Sequence, residues 1–200
     1  MICKFYEVGK YKEKVNFYLF YGENEGQKSE TIESNFNNFT KESTFKYYEK
    51  DIIQNKQLFF ENIFSKSFFE NEKLIIISEV TDKILDLIIE VVEKNIDGIK
   101  IILIAKKLEK KSKIRSFFEK EKKVLIVPFY EDTTQNLITI AKRILNEKKI
   151  NLSQEHLNLI IDRSQGDRIS LKNELEKIID LNISKKKNQI RRYIKIDKFK

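Results

Sequence analysis

Three apolar runs of strand length, "KLIIISEV" (73–80), "IKIILIA" (99–105) and "KVLIVPF" (123–129), constrain the fold more than any other feature. Their apolar residues are consecutive, not alternating, so each strand must be covered on both faces, as in a parallel sheet. Segments with helical spacing lie between them: "DKILDLIIEVVEKN" (82–95), closed by Gly98, and "KKSKIRSFFEKE" (110–121). Upstream, "KVNFYLFYG" (14–22) reads as a buried strand ending in a tight turn. The segment 25–39 follows as a helix with Ile32, Phe36 and Phe39 on one face. "TFKYYEK" (44–50) is expected as a strand and "DIIQNKQLFFENI" (51–63) as one helix with Asp51 at its N-cap. Pro128 is expected to end the strand that contains it. Alternation of this kind predicts an α/β fold, a parallel sheet with right-handed crossovers.

After Pro128 the pattern changes to three helical segments, 134–150, 152–164 and 168–181. Ser153 is a suitable N-cap for the second, and Gly166 breaks the chain before the third. The expected organisation is an α/β domain over 1–132, a small three-helix domain over 133–183, and a basic segment over 184–200. Five glycines and one proline in 200 residues fit a chain made mostly of regular elements.

Several function classes are excluded by composition. The lone Cys3 rules out a disulfide framework and a cysteine-based zinc site. His156 is the only histidine, so no histidine cluster exists for metal or triad chemistry. No apolar run reaches the roughly 18 residues of a membrane span, and "MICKFYEVGK" lacks an apolar signal core, so a cytoplasmic protein is expected. The formal charge is +8, from 39 basic and 31 acidic residues. Such a charge attracts nucleic acid. Only six of the basic residues are arginine, however, and a lysine-rich, AT-biased coding sequence yields the same excess. Both readings stay open.

The turn after the first strand, "YGENEGQKSE", has the first glycine (Gly22), the lysine (Lys28) and the hydroxyl (Ser29) of the phosphate-cradling motif G-x-x-x-x-G-K-[ST]. The sixth position is Gln27. A glycine there lets backbone N–H groups approach phosphate without a Cβ in the way. Gln27 places a side chain at that point, and Gly26 is one residue early.

The order of these blocks resembles the AAA+ ATPases, and among them the delta subunits of the bacterial DNA polymerase III clamp loader. Four stretches carry the resemblance over roughly residues 15–182: "FYLFYGENEGQKSE", "NIFSKSFFENEKLIIISEV", "IILIAKKLEKKSKIRSFFEKE" and "RSQGDRISLKNELEKI". It implies an AAA+-like sheet domain followed by a three-helix lid. It also implies that the first loop, Gly22, Lys28 and Ser29 included, does not hydrolyse ATP. Family chains continue into a helical collar domain, so a truncated chain is expected, with 184–200 as a basic tail or the start of the collar.

Three further positions bear on nucleotide chemistry. After "LIII" the chain has Ser78 and Glu79 where an ATPase presents a magnesium-organising aspartate. Lys106 follows "IILIA" where a phosphate-sensing polar residue is expected. Hydrolysing subunits carry G-S-x-R at the last lid helix. Counting from Gly166 gives Ile169 at the arginine position, and Arg168, one residue earlier, points about 100° away on a helix.

The resemblance places clamp contact at Ser67, Phe68 and Phe69. The alternative from pattern alone is that Phe64, Phe68 and Phe69 are all core. Adjacent helical residues diverge by about 100°, so Phe68 and Phe69 cannot share one narrow stripe. The implied partners are the sliding clamp (beta), the gamma/tau and delta-prime subunits, and primer-template DNA through the complex. No cofactor or metal is implied, and no catalysis beyond membership of a polymerase (nucleotidyltransferase) holoenzyme. Two alternatives stay open: a divergent AAA+ ATPase using Lys28, Ser29 and Glu79, and a basic nucleic-acid-binding protein outside replication.

Overall fold

The structure, a computed structural model, describes residues 1–64, 72–94, 97–183 and 193–194. Two compact units are present. One comprises Met1–Glu23 and Lys28–Phe129; the other comprises Asn24–Gln27 and the chain from Tyr130 onward.

The first unit is built on five strands: β1 (Phe17–Gly22), β2 (Thr44–Tyr48), β3 (Lys73–Ser78), β4 (Ile99–Ala105) and β5 (Val124–Phe129). All are parallel, in the order β2-β3-β4-β1-β5. Successive residues of one strand enter opposite cores, since side chains alternate across a sheet. Leu19, Ile75, Ile77, Ile101, Leu103 and Ile126 belong to one, with Ile88, Val91 and Phe118. Tyr18, Phe20, Ile76, Ile102, Leu125 and Val127 belong to the other, with Phe36 and Val8. Both faces are covered, which is why the runs are apolar throughout.

The helices are α1 (Glu25–Asn35), α2 (Glu49–Gln54), α3 (Lys56–Phe64), α4 (Leu85–Lys94) and α5 (Lys113–Lys120). Four details differ from the sequence expectation. The helix expected over 25–39 stops at Asn35, and Phe36 and Phe39 pack from the turn beyond it. The single helix expected over 51–63 is two. Asn55 breaks it with φ −140° and ψ 71°, and its side chain accepts from the Leu58 N–H at 3.1 Å. This is the local bonding by which asparagine favours caps over helix interiors. Asp51 lies inside the first turn of α2, whose N-cap is Tyr48. Pro128 does not end β5, which runs on to Phe129; β5 is an edge strand, where a missing N–H is tolerated.

The N-terminus carries structure that no periodicity signals. Ile2 bridges Ile126, and a 3₁₀ helix spans Phe5–Tyr11. The second unit has three helices, α6 (Thr134–Glu147), α7 (Gln154–Ser164) and α8 (Arg168–Ile183). Ser153 caps α7 by accepting from the His156 N–H at 3.3 Å. Gln165 and Gly166 make the turn before α8, both with positive φ. The core of this unit includes Leu137, Ala141, Leu145, Leu157, Ile160, Ile161, Leu171, Leu175 and Ile178. Ile194, which lies in the segment expected as a basic tail, is buried there too.

Candidate functional site

In open parallel sheets, ligands bind outside the carboxyl ends of the strands. Here that end of β1 is Gly22, with φ +127°. A Cβ on Gly22 would sit 2.0 Å from the Phe129 carbonyl oxygen, so β5 passes too close for any other residue. Helix α1 then starts. The Asn24 side chain accepts from the Gln27 N–H at 3.0 Å, a helix-capping bond.

Lys28 is the centre of the arrangement. It is only 1% exposed. Its ammonium donates to the Gly22 carbonyl at 3.0 Å and to the Ala105 carbonyl at 3.0 Å. It therefore ties the carboxyl ends of β1 and β4 together. The Gly22 N–H completes the link by donating to the Lys106 carbonyl at 3.3 Å. Ser29 is exposed, and Gln27 is buried. The ammonium is turned back onto the protein backbone.

The acids near these strand ends hold neighbouring segments. Glu49 accepts from the Thr81 N–H at 2.8 Å and from the Thr81 hydroxyl. Asp82 accepts from the Ser112 hydroxyl at 2.7 Å and from the Lys113 and Ile114 N–H groups, both at 3.0 Å. Asp82 thereby satisfies the N-terminus of α5, which needs acceptors for its unpaired N–H groups. Burial pushes the Asp82 carboxyl up, but the bonds from Ile114, Lys113 and Ser112 outweigh it and hold the group below its ordinary value. Glu79, the acid of the ATPase alternative, is exposed with φ +58°, and Ser78 is half-buried. Lys106 is exposed. Among the described residues, no group of three His, Cys, Asp or Glu side chains is placed to hold a metal ion.

Within the second unit, Arg168 is also engaged. Its guanidinium grips Asp132 in bidentate fashion, Nε to Oδ2 at 2.7 Å and Nη2 to Oδ1 at 2.6 Å. Their side chains are 7% and 2% exposed. Asn24 donates to the same Asp132 oxygen at 2.9 Å and to the Tyr130 carbonyl at 3.0 Å. A Cβ on Gly26 would lie 3.1 Å from Ile169 and 3.2 Å from Arg168, so glycine permits this close approach. Burial raises the Asp132 carboxyl, but Arg168 and Asn24 outweigh it and hold it below the usual carboxylate range. Ile169 is 42% exposed at the position expected for the lid arginine.

Of the sequence-nominated residues, Gly22 and Lys28 come together at the end of β1, and Ser29 lies exposed beside them. Ser67, Phe68 and Phe69 lie outside the described residues. His156 is half-buried. Cys3 is buried, and burial, with the Glu7 charge, pushes its thiol up to about 11, which suppresses thiolate chemistry. Sequence reasoning missed Asn24, Glu49, Asp82 and Asp132. Asn24 had a legible signal, a capping residue three positions before Gln27. The others act through contacts distant in sequence.

No family model and no curated protein matches this chain. Solved structures do. The Bacillus subtilis DNA clamp loader delta protein (YqeN) superposes with a TM-score of 0.57 at 14% identity, over 88% of this chain and 57% of that one. The Thermotoga maritima RuvB Holliday junction branch migration motor superposes with a TM-score of 0.54 at 16% identity, over 90% of this chain and 60% of that one. The chain thus spans about three fifths of the length of each. At such identities the likeness is one of fold. The chain has the α/β fold of AAA+ domains, a five-stranded parallel sheet with surrounding helices, followed by a small three-helix unit.

Proposed function

We propose that this chain acts as a clamp-loader delta-like subunit. It binds the sliding clamp of DNA polymerase III and opens it for loading on primed DNA in the cytoplasm, beside gamma/tau and delta-prime subunits, without catalysing a reaction itself. The fold is common to a clamp-loader delta protein and a RuvB motor, so fold does not choose between them. The observation that carries the reading is Lys28. A buried ammonium bonded to two strand-end carbonyls serves as an internal tie, which suits a subunit that needs no triphosphate. The engagement of Arg168 by Asp132 supports the same reading. The ATPase alternative requires Lys28 to abandon both carbonyls.

Clamp contact is assigned by resemblance to Ser67, Phe68 and Phe69. Apolar anchors of this kind dominate interface energy, and each truncation to alanine costs about 2 kcal/mol or more. Binding that favours an open clamp shifts the clamp's population without hydrolysis by this subunit. The test is retention of purified sliding clamp by the immobilised chain. The unmutated chain retains clamp, and Phe68→Ala with Phe69→Ala weakens retention by about a hundredfold or more. A folded, unmutated chain that retains no clamp overturns the proposal.

A further inference from the structure

We propose that Tyr193 and Ile194 form a latch on the three-helix unit, held shut by Arg163 and Glu174, that opens without unfolding the helices beneath it. The inference is independent of clamp binding. Arg163, in α7, donates from Nη2 to the Ile194 carbonyl at 2.7 Å and to the Tyr193 carbonyl at 3.3 Å. Its guanidinium also lies over the Tyr193 ring, 5.6 Å from the centroid. The Tyr193 hydroxyl donates to Glu174 Oε2, in α8, at 2.7 Å. Lys177 donates to the other oxygen, Oε1, at 2.8 Å. Ile194 is fully buried among the apolar residues of the unit.

Hydrogen bonds with an ionised partner are shorter and about twice as strong as neutral ones. Burial pushes the Glu174 carboxyl up, but the bonds from Lys177 and Tyr193 and the Lys177 and Arg163 charges outweigh it and hold the group below its ordinary value. The carboxylate is therefore ionised at neutral pH and accepts at both oxygens. Arg163 holds the backbone of the segment and Glu174 holds a side chain, so the contact fixes both its place and its orientation.

Three features make the contact separable from the helices. It rests on two residues and one fully buried apolar side chain. Its polar groups lie near solvent, the Arg163 and Glu174 side chains being 18% and 16% exposed. The helices also have a core of their own, in which Leu157, Ile161, Leu171 and Leu175 meet. Elements with few buried apolar contacts open at a lower free energy than the unit that carries them. Closed, the latch fixes the point at which the chain leaves the three-helix unit; open, it releases that point.

Chymotrypsin, which cuts after aromatic residues, reads the latch directly in the full chain. The Tyr193 carbonyl is bonded to Arg163 and Ile194 is buried, so the peptide bond between them is cut only from the open state. The rate follows the open population when closing outpaces cleavage. Tyr130 is 76% exposed and serves as the open reference. The slower cut after Leu175, buried within α8, reports unfolding of the unit. The variants are Arg163→Met and Glu174→Gln, and fragments are identified by mass. The unmutated chain is expected to be cut far more slowly after Tyr193 than after Tyr130. Each variant should speed the Tyr193 cut by about tenfold or more, through the loss of hydrogen bonds to a charged group, and leave the Leu175 rate unchanged. Cleavage of the unmutated chain as fast after Tyr193 as after Tyr130 overturns the proposal. So does a rise at Leu175 in step with that at Tyr193, which would make the contact part of the unit's own core, or an unchanged Tyr193 rate in either variant.

Discussion

Replacing Asp132 with alanine should destabilise the three-helix unit by about 3–5 kcal/mol, the usual cost of removing one partner of a buried ion pair. The reason is asymmetry. Arg168 is 7% exposed, and its guanidinium is held in two parallel bonds by one carboxylate. Without that carboxylate a buried charge loses its compensation, and Asn24 loses one of its two acceptors. Asp132→Asn keeps the shape and removes the charge, so it should fall between the wild type and alanine. The folded carboxyl lies below its ordinary value of 3.8. The pair's contribution is therefore fully present above that value and is lost as pH falls through the lowered one. Urea titrations across acidic pH should show the wild type losing stability there, and Asp132→Ala losing less.

Lys28→Met should also destabilise, by about 2–3 kcal/mol, since the Gly22 and Ala105 carbonyls are each left without this donor at about 1–3 kcal/mol per buried group, less the relief of no longer burying a charge. For a chain of this size, that lowers the melting temperature by roughly 4–12 °C. The same substitution in a phosphate loop would remove a ligand contact and leave the apo protein's stability nearly unchanged. The sign and size of the stability change thus separate an internal tie from a ligand group. A melting temperature equal to that of the wild type would refute the tie.

What the sequence disclosed follows from the range of each interaction. β3, β4 and β5 were legible because a strand covered on both faces is written as an uninterrupted apolar run. The helices of the second unit were legible from spacing and from caps such as Ser153. The break at Asn55 was not, because it rests on one side chain bonding three residues ahead inside an otherwise helical pattern. The N-terminal 3₁₀ helix has no repeat to read, and its place depends on Ile2 meeting Ile126. At the loop, the lysine's register was visible but its direction was not. Lys28 turns inward because the Ala105 carbonyl, 77 residues away in sequence, ends beside it. Asp132 and Arg168 are 36 residues apart, with no local pattern linking them.

On the proposed reading the first loop is a structural tie and not a triphosphate site. Thermal unfolding of the chain against rising ATP with Mg²⁺ distinguishes the two. Ligand at about one hundred times its Kd stabilises a protein by about 2.7 kcal/mol, which for this length raises the melting temperature by roughly 5–10 °C. A structural tie gives no saturable rise. A saturating upward shift of that size, abolished by Lys28→Met, would mean that the loop holds a triphosphate.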